Sequence, residues 1–249
     1  MSTPPPRSRS RSSPQAEAAL SLLERGDLEV LGLLPRASNY TFLARVRSGT
    51  DEALAVYKPM RGEIPLWDFP DGTLHRREVA AYEVARALGW PDVPTTVLRD
   101  GPHGVGSVQR FVEFDPAEHF FTLQESRAED FRRVAVFDVV VNNADRKAGH
   151  CLLAGDGRIW LVDHGVCFAV EPKLRTVIWD FAGEPLPPEV CADLQRLGQD
   201  LRTGTLRERL APLLAAREVR ALGARIDRLV AAGRLPEPGP GRPYPWPPV

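Results

Sequence analysis

The sequence predicts an α+β protein in two parts, a β-rich N-terminal part with one long helix and a mainly helical C-terminal part. Three observations predict it. Five short runs of β-branched and apolar residues, separated by turn compositions, fall before about residue 112. A helical period interrupts them over HRREVAAYEVARALGW. Beyond residue 115 the period is helical again, broken by a single hairpin, CLLAG then DGR then IWLVDHG.

Taken in order, residues 1–14 are rich in Pro, Ser and Arg without apolar periodicity, and are expected to form a disordered tail. QAEAALSLLER over 15–25 spaces Ala18, Leu22 and Arg25 helically and stops at Gly26. Strands follow at Glu29–Leu34, Tyr40–Val46 and Ala53–Tyr57, separated by the turns PRASN and RSGTDE. Residues 60–74 form a long loop with an Asp71-Gly72 turn and two aromatics expected to be exposed, Trp67 and Phe69. Loops of this length are usually functional. The next helix sets Ala81, Val84, Ala85 and Leu88 on one side and Arg76, Glu83 and Arg86 on the other, and Gly89 ends it. Strands at Thr95–Arg99 and Val105–Val112 complete an N-terminal lobe over 15–114. A helix at Glu129–Val141, the hairpin, and helices at Pro188–Leu201, Leu206–Ala215 and Val219–Ala232 make a C-terminal lobe over 115–233. Residues 234–249 are too proline-rich for either regular structure, leaving a tail that either floats or lies extended along the surface, with Trp246 as a candidate anchor.

A length of 249 residues with 43% apolar content suits one large domain or two small lobes. The net charge of −1 supplies no field for gathering nucleic acid, so no nucleic-acid partner is expected. Three cysteines without a CxxC pair argue against a disulfide framework, and Cys151 and Cys167 are expected to be small buried hydrophobes. No apolar run approaches the roughly 18 residues of a membrane span, and the N-terminus lacks a secretory apolar stretch. A cytoplasmic location is the expectation.

Only three of the 32 basic residues are lysines, and two of them, Lys58 and Lys147, sit in motifs. AVYKP ends a hydrophobic strand with Lys58, whose ammonium needs an anionic partner. Glu78, on the flank of the inward face of the next helix with Tyr82 and Ala85, is better placed for that than Glu83. ADRKAGH and LVDHG put Asp145 and Asp163 18 residues apart across the hairpin, bringing two carboxylates to one end of a short sheet. Phosphoryl transfer needs cations on phosphates and a carboxylate near the attacking hydroxyl. In that chemistry Asp145 would orient or deprotonate the acceptor hydroxyl, Lys147 would touch the γ-phosphate, and Asp163 would hold a divalent metal.

VVVNNADRKAGHCLL followed by IWLVDHGVCF resembles the catalytic and metal-binding segments of the phosphatidylinositol 3-/4-kinase superfamily, most nearly the type II phosphatidylinositol 4-kinases. The resemblance spans roughly Val30 to Phe168. It implies a two-lobed, protein-kinase-like fold using ATP with Mg²⁺ or Mn²⁺. By position, Lys58 matches the ATP-contacting lysine, Asp145 the catalytic-loop aspartate and Asp163 the metal-binding aspartate. His150 stands where the pattern usually has a metal-binding asparagine. As a nitrogen ligand it implies either a softer metal such as Mn²⁺ or the loss of one metal position. With no GxGxxG present, PRASN would cover the phosphates through backbone N–H groups and the side chains of Ser38 and Asn39. Backbone around Phe111, Val112 and Glu113 would edge the adenine.

Three other readings use the same residues. Asp145, His150, Asp163 and His164 could form the metal cluster of a phosphoesterase. A pseudokinase would bind nucleotide, or merely keep the fold, and dock a protein partner through the Trp67 and Phe69 loop or the proline-rich tail. Reversal of the nucleotide would transfer AMP.

Overall fold

The computed structural model describes residues 14–35 and 39–249. The tail expected over 1–14 lies outside the described residues apart from Pro14, where α1 (Pro14–Arg25) begins. An antiparallel sheet follows, built from β1 (Asp27–Leu33), β2 (Phe42–Ser48), β3 (Asp51–Pro59), β4 (Thr96–Gly101) and β5 (Gly104–Arg110), in the order β1-β2-β3-β5-β4. Alternation along the strands decides what each face does. Ala44, Val46, Ala55, Tyr57, Val97 and Val108 pack with Leu23 of α1 on one face. Lys58, next to Tyr57 in β3, therefore emerges on the opposite face.

Lys58 pairs with Ser107, and the neighbouring Gly106 explains how closely the strands approach. A Cβ at 106 would stand 2.5 Å from the Lys58 carbonyl oxygen, so only glycine fits there.

After a single 3₁₀ turn at Met60–Gly62 and an irregular loop, α2 (Leu74–Leu88) runs to Gly89, whose φ of 89° caps it in the left-handed region. Its inner residues join α4 (Ala128–Val141), α5 (Pro188–Thr203) and α7 (Ala216–Ala232) in the main core, through Val84, Leu88, Phe137, Val141, Leu197 and Ile226. Between α4 and α5 sits the hairpin of β6 (Cys151–Leu153) and β7 (Ile159–Leu161). Cys151 and Cys167 are fully buried.

Several details depart from the sequence expectation. A short helix, α3 (Phe120–Leu123), precedes α4, and β5 stops at Arg110. The helix expected to reach Ala215 is α6 (Thr205–Leu210): Ala211 keeps helical backbone, but Pro212 supplies no N–H to continue the hydrogen-bond ladder. Phe69 is buried, not exposed: it packs with Leu74, Ala144 and Ala169 beneath the Arg77 guanidinium, 5.0 Å from its ring centre. Trp67 is 91% exposed, with the Lys173 ammonium 5.2 Å above its ring.

The C-terminal residues do lie extended along the surface, but Trp246 does not anchor them. It is 75% exposed, whereas Pro245 is buried. The carbonyls of Pro243 and Pro248 accept hydrogen bonds from the Thr176 and Ala148 N–H groups at 3.0 and 2.9 Å. Among the described residues no helix is long and apolar enough to cross a membrane.

Candidate active site

The strand period sends Lys58 toward α2, and the helical period sends Glu78 toward Lys58. The ammonium hydrogen-bonds Glu78 Oε1 and donates to Asp163 Oδ1 at 3.0 Å. Glu78 is 3% exposed, and its second oxygen accepts the His164 N–H at 2.8 Å. One carboxylate thus fixes both the amine from the sheet and the backbone that presents Asp163. Burial opposes charge on Lys58, but the carboxylates of Asp163 and Glu78 outweigh it and hold the amine protonated well above the usual lysine range. The Lys58 charge in turn keeps the Asp163 carboxyl ionised far below the usual carboxylate range.

Asp163 has φ of 62°, a backbone region that costs a non-glycine residue energy and recurs at functional positions. Its side chain is half exposed, so the carboxylate pairs with Lys58 while still meeting solvent.

Asp145 sits on a loop that the end of α4 shapes. Asn142 leaves the helix at φ 53°, and its side chain ties three backbone groups together: it donates to the carbonyls of Ala169 and Glu171 at 2.9 and 2.7 Å and accepts from Lys173 N–H at 2.9 Å. Asn143 Oδ1 accepts the Asp145 N–H at 3.0 Å, a local turn that orients the aspartate. Burial raises the Asp145 carboxyl to about 6, from an ordinary value of about 4, against the pull of Lys147; the negative charge of Asp163 adds to the rise. Lys147 Nζ stands 3.7 Å from Asp145 Oδ2.

Arg146, between the two, was not singled out in the sequence. It is fully buried and grips Asp138 at 3.0–3.1 Å, donates to the Val162 carbonyl at 3.0 Å and meets His164 Nε2 at 2.8 Å. It therefore locks the loop of Asp145 to the turn of Asp163.

His150 brings Nε2 to 3.4 Å from Asp163 Oδ2, and its Nδ1 accepts the Lys147 N–H at 3.3 Å. With Nδ1 accepting, the proton of the neutral ring sits on Nε2, facing the carboxylate. Burial, reinforced by Arg146, Lys147 and Lys58, lowers the imidazole to about 4 against the pull of Asp163, so the ring is neutral at pH 7.

The remaining candidates are dispersed around this centre. Asn39 Oδ1 accepts the Ile64 N–H at 2.8 Å and so ties the β1–β2 turn to the 60–73 loop; Ser38 lies outside the described residues. Phe111 donates its N–H to the Leu54 carbonyl, and Phe111, Val112 and Glu113 form the connection from the sheet to the helical part, with Phe114 bridging Ala154. The four-residue metal cluster of the phosphoesterase reading does not form. His164 is buried against Arg146, and among the described residues no three His, Cys, Asp or Glu side chains gather as a ligand set.

Comparison with known proteins adds to this geometry. No protein-family model matches the sequence. The chain is 40% identical over 262 residues to Protein Rv2133c of Mycobacterium tuberculosis (strain ATCC 25618 / H37Rv), covering 91% of this chain and 94% of that protein. The chain belongs to the Rv2133c family. It is also 27% identical over 222 residues to phosphatidylinositol 4-kinase gamma 4 of Oryza sativa subsp. japonica, spanning 74% of this chain and 39% of the rice protein. In three dimensions it is similar to the Helicobacter pylori proinflammatory kinase CtkA, with a TM-score of 0.51 at 12% identity, covering 85% of this chain and 94% of that one. The fold is a two-lobed, kinase-like α+β fold.

Proposed function

We propose that this chain is an ATP-dependent phosphotransferase of the phosphatidylinositol 3-/4-kinase-like type, nearest to the type II phosphatidylinositol 4-kinases, acting on a hydroxyl acceptor. The observation that carries the reading is the meeting of Lys58, Glu78 and Asp163, drawn from a strand, a helix and a turn far apart in sequence. Lys58, held charged by its two carboxylates, contacts the nucleotide phosphates. Asp145 accepts the proton of the attacking hydroxyl; its burial-raised carboxyl keeps it basic enough for that near neutral pH. Lys147 offers its charge to the transferred group, Phe111 to Glu113 edge the adenine, and Asn39 lies over the phosphates.

The residues fit a divalent ion in one respect. The negative charge of Asp163 helps to raise the Asp145 carboxyl, a repulsion that a cation would relieve. Asp163 would hold Mg²⁺ or Mn²⁺ together with nucleotide oxygens, the usual arrangement for Mg²⁺ at phosphate sites. The ion would supply charge neutralisation for the phosphates. His150 instead donates its Nε2–H toward Asp163, since ligation through Nε2 would move the proton to Nδ1 and set it against the Lys147 N–H. His150→Ala is therefore expected to leave the Mn²⁺-to-Mg²⁺ activation ratio within about two-fold. A collapse of Mn²⁺ activation alone would return the imidazole to the ligand set.

Thermal unfolding with and without ATP and each metal tests the reading as a whole. Stabilisation of about 2–3 kcal/mol is expected at ATP near 100 times its dissociation constant. Lys58→Ala and Asp163→Ala should each remove most of it. Mass spectrometry of the protein and candidate acceptors after incubation with ATP separates phosphate transfer from AMP transfer. No stabilisation at millimolar ATP with either metal would refute the proposal.

A further inference from the structure

A cavity of about 980 Å³ opens between residues 170–175, α7 and the C-terminal run 234–243. Lys58, Glu78, Asp145, Lys147, His150 and Asp163 are all absent from its walls, so it is separate from the site described above. Its volume is at the upper end of the range for small-molecule sites.

The lining combines two chemistries. Val139, Leu174, Trp179, Leu229 and Leu235, with several prolines, make it predominantly apolar. Against that surface stand Lys173, Arg175, Arg225, Arg228, Arg234 and Arg242, opposed by one lining acid, Glu237. Lys173 is matched by Asp68 at 3.0 Å. Among the described residues none of the five arginines has a carboxylate partner.

Arg225 is the decisive member because it is only 8% exposed. Its Nε donates to the Val140 carbonyl at 2.9 Å and its Nη1 to the Ala169 carbonyl at 3.1 Å, while Nη2 has no hydrogen-bond partner. A buried guanidinium normally has its charge matched and its donors satisfied, and breaking such an arrangement is costly. Burial lowers the Arg225 side chain to about 10, and nearby Arg228 adds repulsion. An anion would relieve both costs at once, and the apolar walls require that it carry a hydrophobic body.

We propose that this cavity binds a small amphiphilic anion, with its phosphate or carboxylate head on Arg225 and Arg228 and its apolar body against Leu229, Leu235, Val139 and Trp179. The site stands on its own observations and does not rest on the proposed transferase activity. It does touch the loop machinery, since Arg225 and Asn142 donate to the same Ala169 carbonyl.

The test is calorimetric titration of the full chain with dodecyl phosphate and with laurate, each below micelle formation, with tryptophan fluorescence as a second readout. One saturable site is expected, with a dissociation constant on the order of 10 μM for at least one of the two anions, whose ranking separates a phosphate from a carboxylate head. Inorganic phosphate alone and dodecyltrimethylammonium should bind at least about 30-fold more weakly. Arg225→Gln tests the central contact but removes two structural hydrogen bonds. Two gentler variants therefore accompany it: Arg228→Glu at an exposed position, and Ala232→Trp to fill the cavity. Each should weaken binding about ten-fold or more while the chain stays folded. The inference is overturned by any of three results: no saturable binding of either anion, equal binding of the cationic amphiphile, or affinity within two-fold of wild type in both gentler variants.

Discussion

Asp145→Asn is expected to slow phosphoryl transfer by about 10²–10⁴-fold, the range for removing a general base, while the chain still binds ATP and becomes more stable. The two effects share one cause. Burial raises the Asp145 carboxyl to about 6, so between its ordinary value near 4 and about 6 the folded chain keeps a proton that the unfolded chain has released. Stability from this group therefore falls as pH rises through that window, and the loss is complete above about pH 6. Asparagine escapes the loss. Allowing for the partial exposure of the carboxylate and the lost attraction to Lys147, the gain above pH 6 is about 1 kcal/mol, shrinking to nothing near pH 4. Urea unfolding of both proteins at pH 4, 5.5 and 7.5 measures it directly. A variant that transfers phosphate at the wild-type rate would remove Asp145 from the proton-accepting role, and one destabilised equally at every pH would refute the electrostatic account.

Arg146→Met should be the most damaging single change to the fold, costing about 3–5 kcal/mol. It leaves Asp138, which is 0% exposed, as an unpaired buried charge and strips donors from the Val162 carbonyl and from His164. Against a typical total of about 5–15 kcal/mol, that is a large share of what keeps a domain folded. The double variant Arg146→Met with Asp138→Leu should recover part of the loss, because two apolar groups leave no uncompensated charge behind. Equilibrium denaturation of the single and double variants decides the matter. A single variant within about 1 kcal/mol of wild type would mean that the loop of Asp145 and the turn of Asp163 are tied by something else.

The parts of this molecule that local periodicity can encode were readable in the sequence. Two-residue alternation set Lys58 on the opposite face of β3 from Tyr57, and the helical repeat turned Glu78, not Glu83, toward it. Glu83 indeed pairs with Arg86 and Arg209. What escaped were buried charges whose partners come from distant parts of the chain. Arg77 meets Glu218 across 141 positions and the Cys167 carbonyl across 90, and no window of sequence contains both ends of either contact. His75 is likewise held from outside its own helix, by Glu63 of the preceding loop at 2.6 Å. Phe69 was misplaced for the same reason: its covering residues come from α2, from Ala144 beside Asp145 and from the segment after Asp163. Among the roles assigned at the candidate site, Lys58 and Glu78 rest on periodicity, Asp145 and Asp163 on motif spacing, and Arg146 only on three-dimensional contacts.

The proline-rich C-terminal segment gives the site an unexpected dependency. Proline has no N–H to offer, but its carbonyl remains a good acceptor, and here two such carbonyls serve Thr176 and Ala148, the latter directly after Lys147. A stretch too proline-rich for helix or sheet thus works as an outer brace on the loop that carries Asp145 and Lys147, holding it through acceptors alone.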